Sequence, residues 1–349
     1  APARPPAPAG GSPPGAGAGG GGGGGGRPRG GGGGPRPAGG ADAAARAAGA
    51  ARATGRWLHF VHAKDGLPAG AARTIAERAA ELPDTVDVLL FDHVTTTWEK
   101  SGMPSADGRV LARAGRAGLA LDDAAGLLRL APLLGNRALR ADFWRAHEES
   151  LNREDEPYAA YAALLHADRV ACLNQVAHEN RRLRPQSLPR PTPEHRYALV
   201  DRYEALLSLA KDRPAARAVL YDVMVGDLLR TFAREDMPGA VAREFFRRSS
   251  LAAVRWRPQD HRRPAGPEGI RRGLLEEGAY GRYRAFQAAN RTRRAARSAV
   301  LTRRRRVGAK LRDHQYRGGG GRPPPPPPPG GGAAGGGAGA RARPPPRPP

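Results

Sequence analysis

Two short polar runs hold most of the chemistry this sequence offers. The first is His62-Ala63-Lys64-Asp65 and the second is Glu154-Asp155-Glu156. The first run supplies an imidazole, an ammonium and a carboxylate. Hard cations such as Mg²⁺ take oxygen ligands, so this is a poor hard-metal set, although imidazole suits a softer ion. Lys64 is better fitted to meet a phosphate directly. The second run sets three acids side by side. Each raises its neighbours' pKa, which helps a general base, but acids also gather in exposed loops and at helix N-termini. A third group, Arg181, Arg184 and Ser187, lies on a basic, Pro-containing stretch. Arginine's planar fork matches phosphate oxygens, and an ordinary basic surface loop reads the same way.

The elements that must position these groups follow from apolar patterning. Thr54-Gly55 punctuates the entry to a short strand carrying Leu58, Phe60 and Val61, and residues 62–65 are its polar tip. In open α/β sheets ligands sit beyond the carboxyl ends of strands, so a reaction centre is expected at 62–65. Helices are expected at 41–52 and 70–82, with Pro83-Asp84 as the break before a second buried strand, Val86 to Phe91. Its polar tip, Asp92-His93, either faces a ligand or is a solvated capping pair. A loop or hairpin at 95–108 carries Trp98, and further helices are expected at 109–117, 122–131 and 137–148. Pro157 suits the first turn of a helix running to Ala167. Val170 to Val176 reads as a strand with Cys172 in the core, and 181–193 as a loop. Beyond it the pattern is helical: 194–211, 214–233, 238–253, and a basic helix over 268–312 broken near Gly278-Ala279-Tyr280-Gly281.

Composition sets the outer limits. The 349 residues include 48 Gly and 35 Pro, concentrated at the two ends. Residues 1–40 and 317–349 lack the apolar side chains that offset chain entropy and read as disordered. Between them lie an α/β domain, 41–190, and an all-α region, 191–316. The net charge is +24, and Arg291 to Arg317 alone holds eleven Lys/Arg against one acid. Such a stretch suits a polyanion: nucleic acid, an anionic membrane surface met through 291–312, or a phosphate-rich polymer. Nucleic acid is the less favoured, because the basic tails lack interleaved aromatics for base stacking. Cys172 is the single cysteine, which excludes an internal disulfide and a Cys-based zinc site. No apolar run reaches membrane-spanning length. The chain opens on Ala1, its first methionine is Met103, and its tails use residues with GC-rich triplets. These features lead us to expect an incomplete reading frame.

Several stretches together resemble family-2 glycosyltransferases of the GT-A fold. They are Arg46-Ala47-Ala48-Gly49, Ala53-Thr54-Gly55-Arg56-Trp57-Leu58, Phe60-Val61 and Asp65-Gly66-Leu67-Pro68. In that family the segment reads Ala-Arg-Asn-x-Gly, Ala-Thr-Gly, then Phe-Val-Asp-x-Asp-Asp. Val86 to Val94, Leu134-Gly135-Asn136-Arg137, Glu154 to Tyr158 and Arg181 to Ser187 sit in the expected order. The wording is most similar to actinobacterial bifunctional proteins that join such a domain, through a helical linker, to a CDP-glycerol glycerophosphotransferase of teichoic-acid type. The resemblance covers residues 43–316.

The resemblance implies an incomplete, Rossmann-like GT-A domain followed by an all-α linker. It implies transfer of a sugar from a nucleotide-sugar donor to a cell-envelope, teichoic-acid-like polymer acceptor, by a cytoplasmic protein peripheral to the inner face of the plasma membrane. By resemblance Asp155 is the general base with Glu154 beside it. Lys64, Arg181, Arg184 and Ser187 bind the donor diphosphate, and a divalent metal, Mg or Mn, sits near Asp65 and His62. The departures point to a crippled chain. His62 and Lys64 stand where the family has carboxylates, and residues 1–40 stand where it has its nucleotide-binding strands. Trp57, Trp98 and Trp144 could stack on a sugar, though core or rim packing is the plainer role for each. The rival reading is a basic polyanion-binding protein with disordered tails.

Overall fold

The run from Val86 to Phe91 becomes the heart of a five-stranded sheet, with Val86, Val88, Leu89 and Leu90 fully buried. The computed structural model describes residues 40–182, 192–234 and 237–293. The chain divides into two units at Ser187/Leu188, where the sequence reading places its boundary after 190. The expected disordered ends, the loop carrying Arg184 and Ser187, and most of the basic stretch 291–312 lie outside the described residues.

Unit 1 opens with helix α1 (Gly40–Arg52) and strand β1 (Trp57–His59), which is shorter than the expected strand and leaves Phe60 and Val61 beyond it. Gly70, at φ 79°, turns the chain into α2 (Ala71–Ala80), a conformation that glycine adopts without steric cost. Ala71, Ile75 and Ala79 of α2 pack on the sheet beside Leu89, Phe91 and Leu173. A buried side chain of that size contributes about 1.5–3 kcal/mol. Strand β2 (Val88–Thr96) continues five residues past Phe91, so Asp92 and His93 lie within the strand rather than at its tip. It turns through the Trp98 hairpin into β3 (Met103–Pro104), and α3 (Asp107–Ala114) follows. A 3-10 segment, Asp122–Arg129, leads to β4 (Arg137–Arg140) and the short helices α4 (Ala141–Ala146) and α5 (Glu148–Leu151). The expected helix at 137–148 is thus corrected at its start. Arg137-Ala138-Leu139-Arg140 has helix-favouring composition, but an apolar gap between β1 and β2 takes it as a strand, and tertiary context overrides propensity.

Helix α6 (Glu156–His166) has Pro157 in its first turn and is buried from Tyr158 to Leu165. It delivers the chain to β5 (Val170–Arg181), which runs five residues past the expected end at Val176. β5 pairs in parallel with β2 from Val88 to Thr96, with register shifts on both sides of Asp92. β4 lies antiparallel to both β1 and β2, so β1, β2 and β5 all run the same way. Their carboxyl ends gather the polar loops.

Unit 2 is helical. Its elements are α7 (Pro193–Leu209), α8 (Pro214–Arg234), α9 (Gly239–Arg255) and α10 (Pro267–Glu276), with a further helical stretch at 280–293. Phe232, Phe245, Phe246 and Tyr283 form its aromatic centre, with ring centroids 4.8–5.6 Å apart among these four. No helix of the described residues is long and apolar enough to cross a membrane.

Candidate active site

The loop after β1 is held by its own backbone. Asp65 N–H donates to His62 O at 2.8 Å, and Gly66 exchanges two hydrogen bonds with Glu179 of β5. That pairing leaves no room beside Gly66: a Cβ there would lie 2.8 Å from Glu179 Oε2. Asp65 Oδ1 accepts from the Arg181 backbone N–H at 2.9 Å, and Arg181 Nη2 donates to Glu179 Oε2 at 3.0 Å. Lys64 N–H donates to His62 Nδ1 at 3.2 Å, leaving the exposed Lys64 ammonium at the loop's apex. Lys64, Asp65 and Arg181 therefore converge on one edge. Arg181 is not in a loop, as expected from sequence, but ends β5 opposite Thr96.

The acidic run meets the same loop from the other side. A cavity of about 320 Å³ is lined by His62 and Ala63 after β1, by Asp42 and Arg46 of α1, by Glu154 before α6 and by Glu156 at its start. His62 Nε2 stands 3.6 Å from Asp42 Oδ2. The Arg46 guanidinium donates to the Arg153 carbonyl, while its Nε is buried without a hydrogen-bond partner. Glu156 Oε1 accepts from Leu134 N–H at 2.9 Å. Asp155 instead caps α6, its Oδ1 accepting from Tyr158 N–H at 3.2 Å. So the exposed Glu154, rather than Asp155, turns to the cavity among the described residues.

Beneath these loops lies a buried polar layer that sequence reasoning missed. His178 of β5 is 0% exposed, and neither ring nitrogen has a hydrogen-bond partner. Its Nε2 stands 3.4 Å from Asp65 Oδ2, outside hydrogen-bond geometry. Burial drives its pKa down to about 4, against the opposing pull of Asp65, with His59 and His93 adding to the depression. His59 Nε2 lies 2.9 Å from the Gly135 carbonyl; a carbonyl only accepts, so this nitrogen carries the proton. Burial lowers the His59 pKa too. Gly135 seats the His178 ring: a Cβ there would fall 2.3 Å from His178 Cε1.

Arg137 is 1% exposed and spends its donors on the carbonyls of Leu133, Ala131 and Ala160 and on Asn136 Oδ1. Burial pulls its pKa down to about 10, with Tyr161, Glu156 and Asp107 opposing the loss of charge. His93 Nδ1 is 3.3 Å from Asp107 Oδ2, both groups being buried. Asp92 Oδ1 accepts from Ser105 Oγ at 2.5 Å and from His93 N–H at 2.7 Å. This pair therefore belongs to the interior and is neither a solvated tip nor an acceptor contact. Of these residues Leu134-Gly135-Asn136-Arg137 had a sequence signal in its place in the motif order and Asp92-His93 one as a polar run after an apolar strand; His59 and His178, isolated in mixed runs, carry none.

The remaining expectations sort simply. Cys172 is fully buried, and desolvation pushes its thiol up to about 12, as befits a packing residue. Trp144 is buried against Phe60, with ring centroids 4.6 Å apart, and the Arg140 guanidinium lies 5.1 Å over Trp57. Trp98 is 57% exposed at the hairpin. The residues proposed for a metal do not fit one. Asp65 is turned to the Arg181 amide and to His178, Lys64 sets an ammonium beside it, and among the described residues no group of three or more His, Cys, Asp or Glu could hold an ion.

No family model matches the chain, and no curated protein matches it. Among solved structures it is similar to a fragment of S. aureus TarS in complex with UDP-GlcNAc, with TM-score 0.51 and 12% identity over 70% of each chain. It is also similar to a longer S. aureus TarS, with TM-score 0.50 and 13% identity over 72% of this chain and 43% of that one. The fold is of the GT-A glycosyltransferase type. At these identities the likeness is one of fold, and it leaves the chemistry to be argued from the residues.

Proposed function

We propose that unit 1 is a nucleotide-sugar glycosyltransferase domain acting on a teichoic-acid-like polyol-phosphate acceptor. The observation that carries this reading is that the loop after β1 has two polar neighbours: its His62 and Ala63 share a cavity with Glu154 and Glu156, and its Asp65 holds the Arg181 amide where the parallel strands end. Lys64 and Arg181 face the donor diphosphate as fixed positive charges, and Arg46 adds a third at the cavity. The acceptor hydroxyl attacks the anomeric carbon and the bond from that carbon to the diphosphate oxygen breaks. The nucleoside diphosphate leaves, and a carboxylate takes the hydroxyl proton. Motif order gives that carboxylate as Asp155; its capping role and the cavity lining favour Glu154. The missing Asp-x-Asp pair sets the expected turnover low. The TarS complex with UDP-GlcNAc supports a nucleotide-sugar donor. The finer kinship with bifunctional glycerophosphotransferase proteins, and a peripheral cytoplasmic location, rest on motif order alone.

Titration of the full chain with UDP-GlcNAc, with and without Mg²⁺ or Mn²⁺, followed by transfer and hydrolysis assays, tests the proposal. K64A and R181Q are expected to weaken donor binding by about tenfold each, the value of one charge-assisted hydrogen bond. E154Q is expected to keep binding and abolish residual turnover, while D155A lowers stability by about 1 kcal/mol through its lost cap. Binding that ignores both cationic substitutions, or no binding of any nucleotide sugar, would overturn the reading.

A further inference from the structure

Unit 2 holds a second cavity, of about 360 Å³, between α10, the end of α8 and the helical stretch 280–293. Arg271, Arg291 and Arg293 line it together with the amides of Gln287 and Asn290, and no acidic residue stands among its described lining residues. The nearby carboxylate of Glu268 is engaged elsewhere, accepting from Arg272 Nη2 at 3.0 Å. Arg271 is half-buried and steadied by its own helix, its Nε donating to the Pro267 carbonyl at 3.4 Å. Its two Nη groups, and the guanidiniums of Arg291 and Arg293, have no acidic partner among the described residues. Gln287 Nε2 donates to Tyr283 Oη at 2.9 Å, which leaves its carbonyl oxygen to accept. Three like charges lining one concavity repel one another unless an anion joins them, and guanidinium forks match phosphate oxygens.

The surroundings narrow the anion's source. A nucleic acid site is expected to offer aromatic rings for stacking, and the described lining has none. A membrane-surface helix needs bulky apolar side chains to insert. The exposed described residues of 280–293 are Gly, Ala, Thr and Arg. We propose that this cavity seats a phosphodiester of a polyol-phosphate polymer, with the arginines on the phosphate and the two amides on hydroxyls of the adjoining polyol. The polymer's identity rests on the acceptor proposed for unit 1; the anion site rests on unit 2's residues. Such a seat, built from unit 2 alone, would hold a long acceptor through a segment that does not react.

The test is binding of a synthetic glycerol-phosphate oligomer to the full chain. Two charge-matched variants are compared: R271Q/R291Q/R293Q at the cavity, and R243Q/R262Q/R284Q at exposed positions outside it. We expect a loss of about tenfold per cavity guanidinium and a clearly smaller loss in the control. R291Q/R293Q carries the same test if Arg271 proves necessary for folding, since both residues are exposed. Equal losses in the two triple variants, no binding by the wild type, or tighter cavity-dependent binding of phosphatidylglycerol vesicles or single-stranded RNA would overturn the proposal. UDP-GlcNAc binding, measured in parallel, should be unchanged by the cavity variant. If the donor never binds while the oligomer result holds, the transferase reading falls and this site stands.

Discussion

The two units treat buried charge in opposite ways. At the centre of unit 2 each strong charge has an opposite partner: Glu276 is met by Arg263 at 2.7 Å and Arg257 at 3.2 Å, and Arg272 meets Asp222 at 2.6 Å. The rest of that interior is mainly aromatic and aliphatic, with Ser249 and Ser250 also buried and the Ser249 hydroxyl without a hydrogen-bond partner. Unit 1 buries Arg137 among carbonyl oxygens and His178 without any hydrogen bond. Unpaired buried polar groups cost stability, so a fold keeps them where they serve something else. In unit 1 they lie directly under the loop 62–65 and the acidic run. The contrast lies in the charges themselves: unit 2 pairs its buried guanidinium with a carboxylate, and unit 1 holds one on carbonyl oxygens beside a buried imidazole, under its polar loops.

The largest effects should separate these two interiors. Phe246→Ala removes a ring packed on Phe232, Tyr280 and Tyr283 and should cost about 3–5 kcal/mol, read by hydrogen exchange of unit 2 core amides. Arg137→Met should cost about 3 kcal/mol in unit 1, because several buried carbonyls lose their donor at once. If that variant is as stable as the wild type, the buried guanidinium is not structural and the comparison fails.

Gly135→Ala comes next. Its Cβ needs the space of the His178 ring, and overpacking of this kind costs about 1–3 kcal/mol. The pair G135A/H178A should recover much of that loss, since the second change removes the obstructing ring. Additive losses would show that His178 is not what excludes a side chain at 135.

A smaller effect is pH-dependent. The His178 pKa is lowered from 6.5 to about 4 in the folded chain, so between those values the unfolded chain binds the extra proton. Stability contributed by neutral His178 is complete above about pH 6.5, falls as pH drops toward 4, and changes by at most about 3 kcal/mol. His178→Phe should flatten this slope in urea titrations, whereas acids and histidines elsewhere leave a common background in both proteins. The smallest expected effect is at the surface of unit 2. Arg247 and Arg248 hold the Glu244 carboxyl down at about 2, yet this is an exposed pair of contacts screened by water. Glu244→Gln should leave the urea midpoint unchanged within error, and a measurable loss would blur the distinction between paired rim charges and buried ones.

Much of the scaffold could be read from residue pattern. The apolar run Val86 to Phe91, the Pro157 helix start and the amphipathic stretches of unit 2 announce themselves by period and punctuation. What escaped did so for physical reasons. Asp92-His93 looks like a strand end because polar residues normally face water, but Ser105 donates to Asp92 and the His93 ring is buried beside Asp107. Asn174 and Gln175 break the alternation of β5 where its register slips, which hides the second half of a strand running to Arg181. Residues 62–65 and 154–156 were visible as chemistry. The sharing of one cavity by His62, Glu154 and Glu156, and the histidines beneath the loop, depend on contacts between residues far apart in the chain, such as Asp65 with Arg181.

That last pairing has a practical use. The Arg181 amide donates a hydrogen bond to Asp65 Oδ1, and a ligand that draws this carboxylate away releases the amide to solvent. Its deuterium uptake is thus a gauge of occupancy at the loop after β1, readable without turnover, labelled donor or knowledge of the natural sugar.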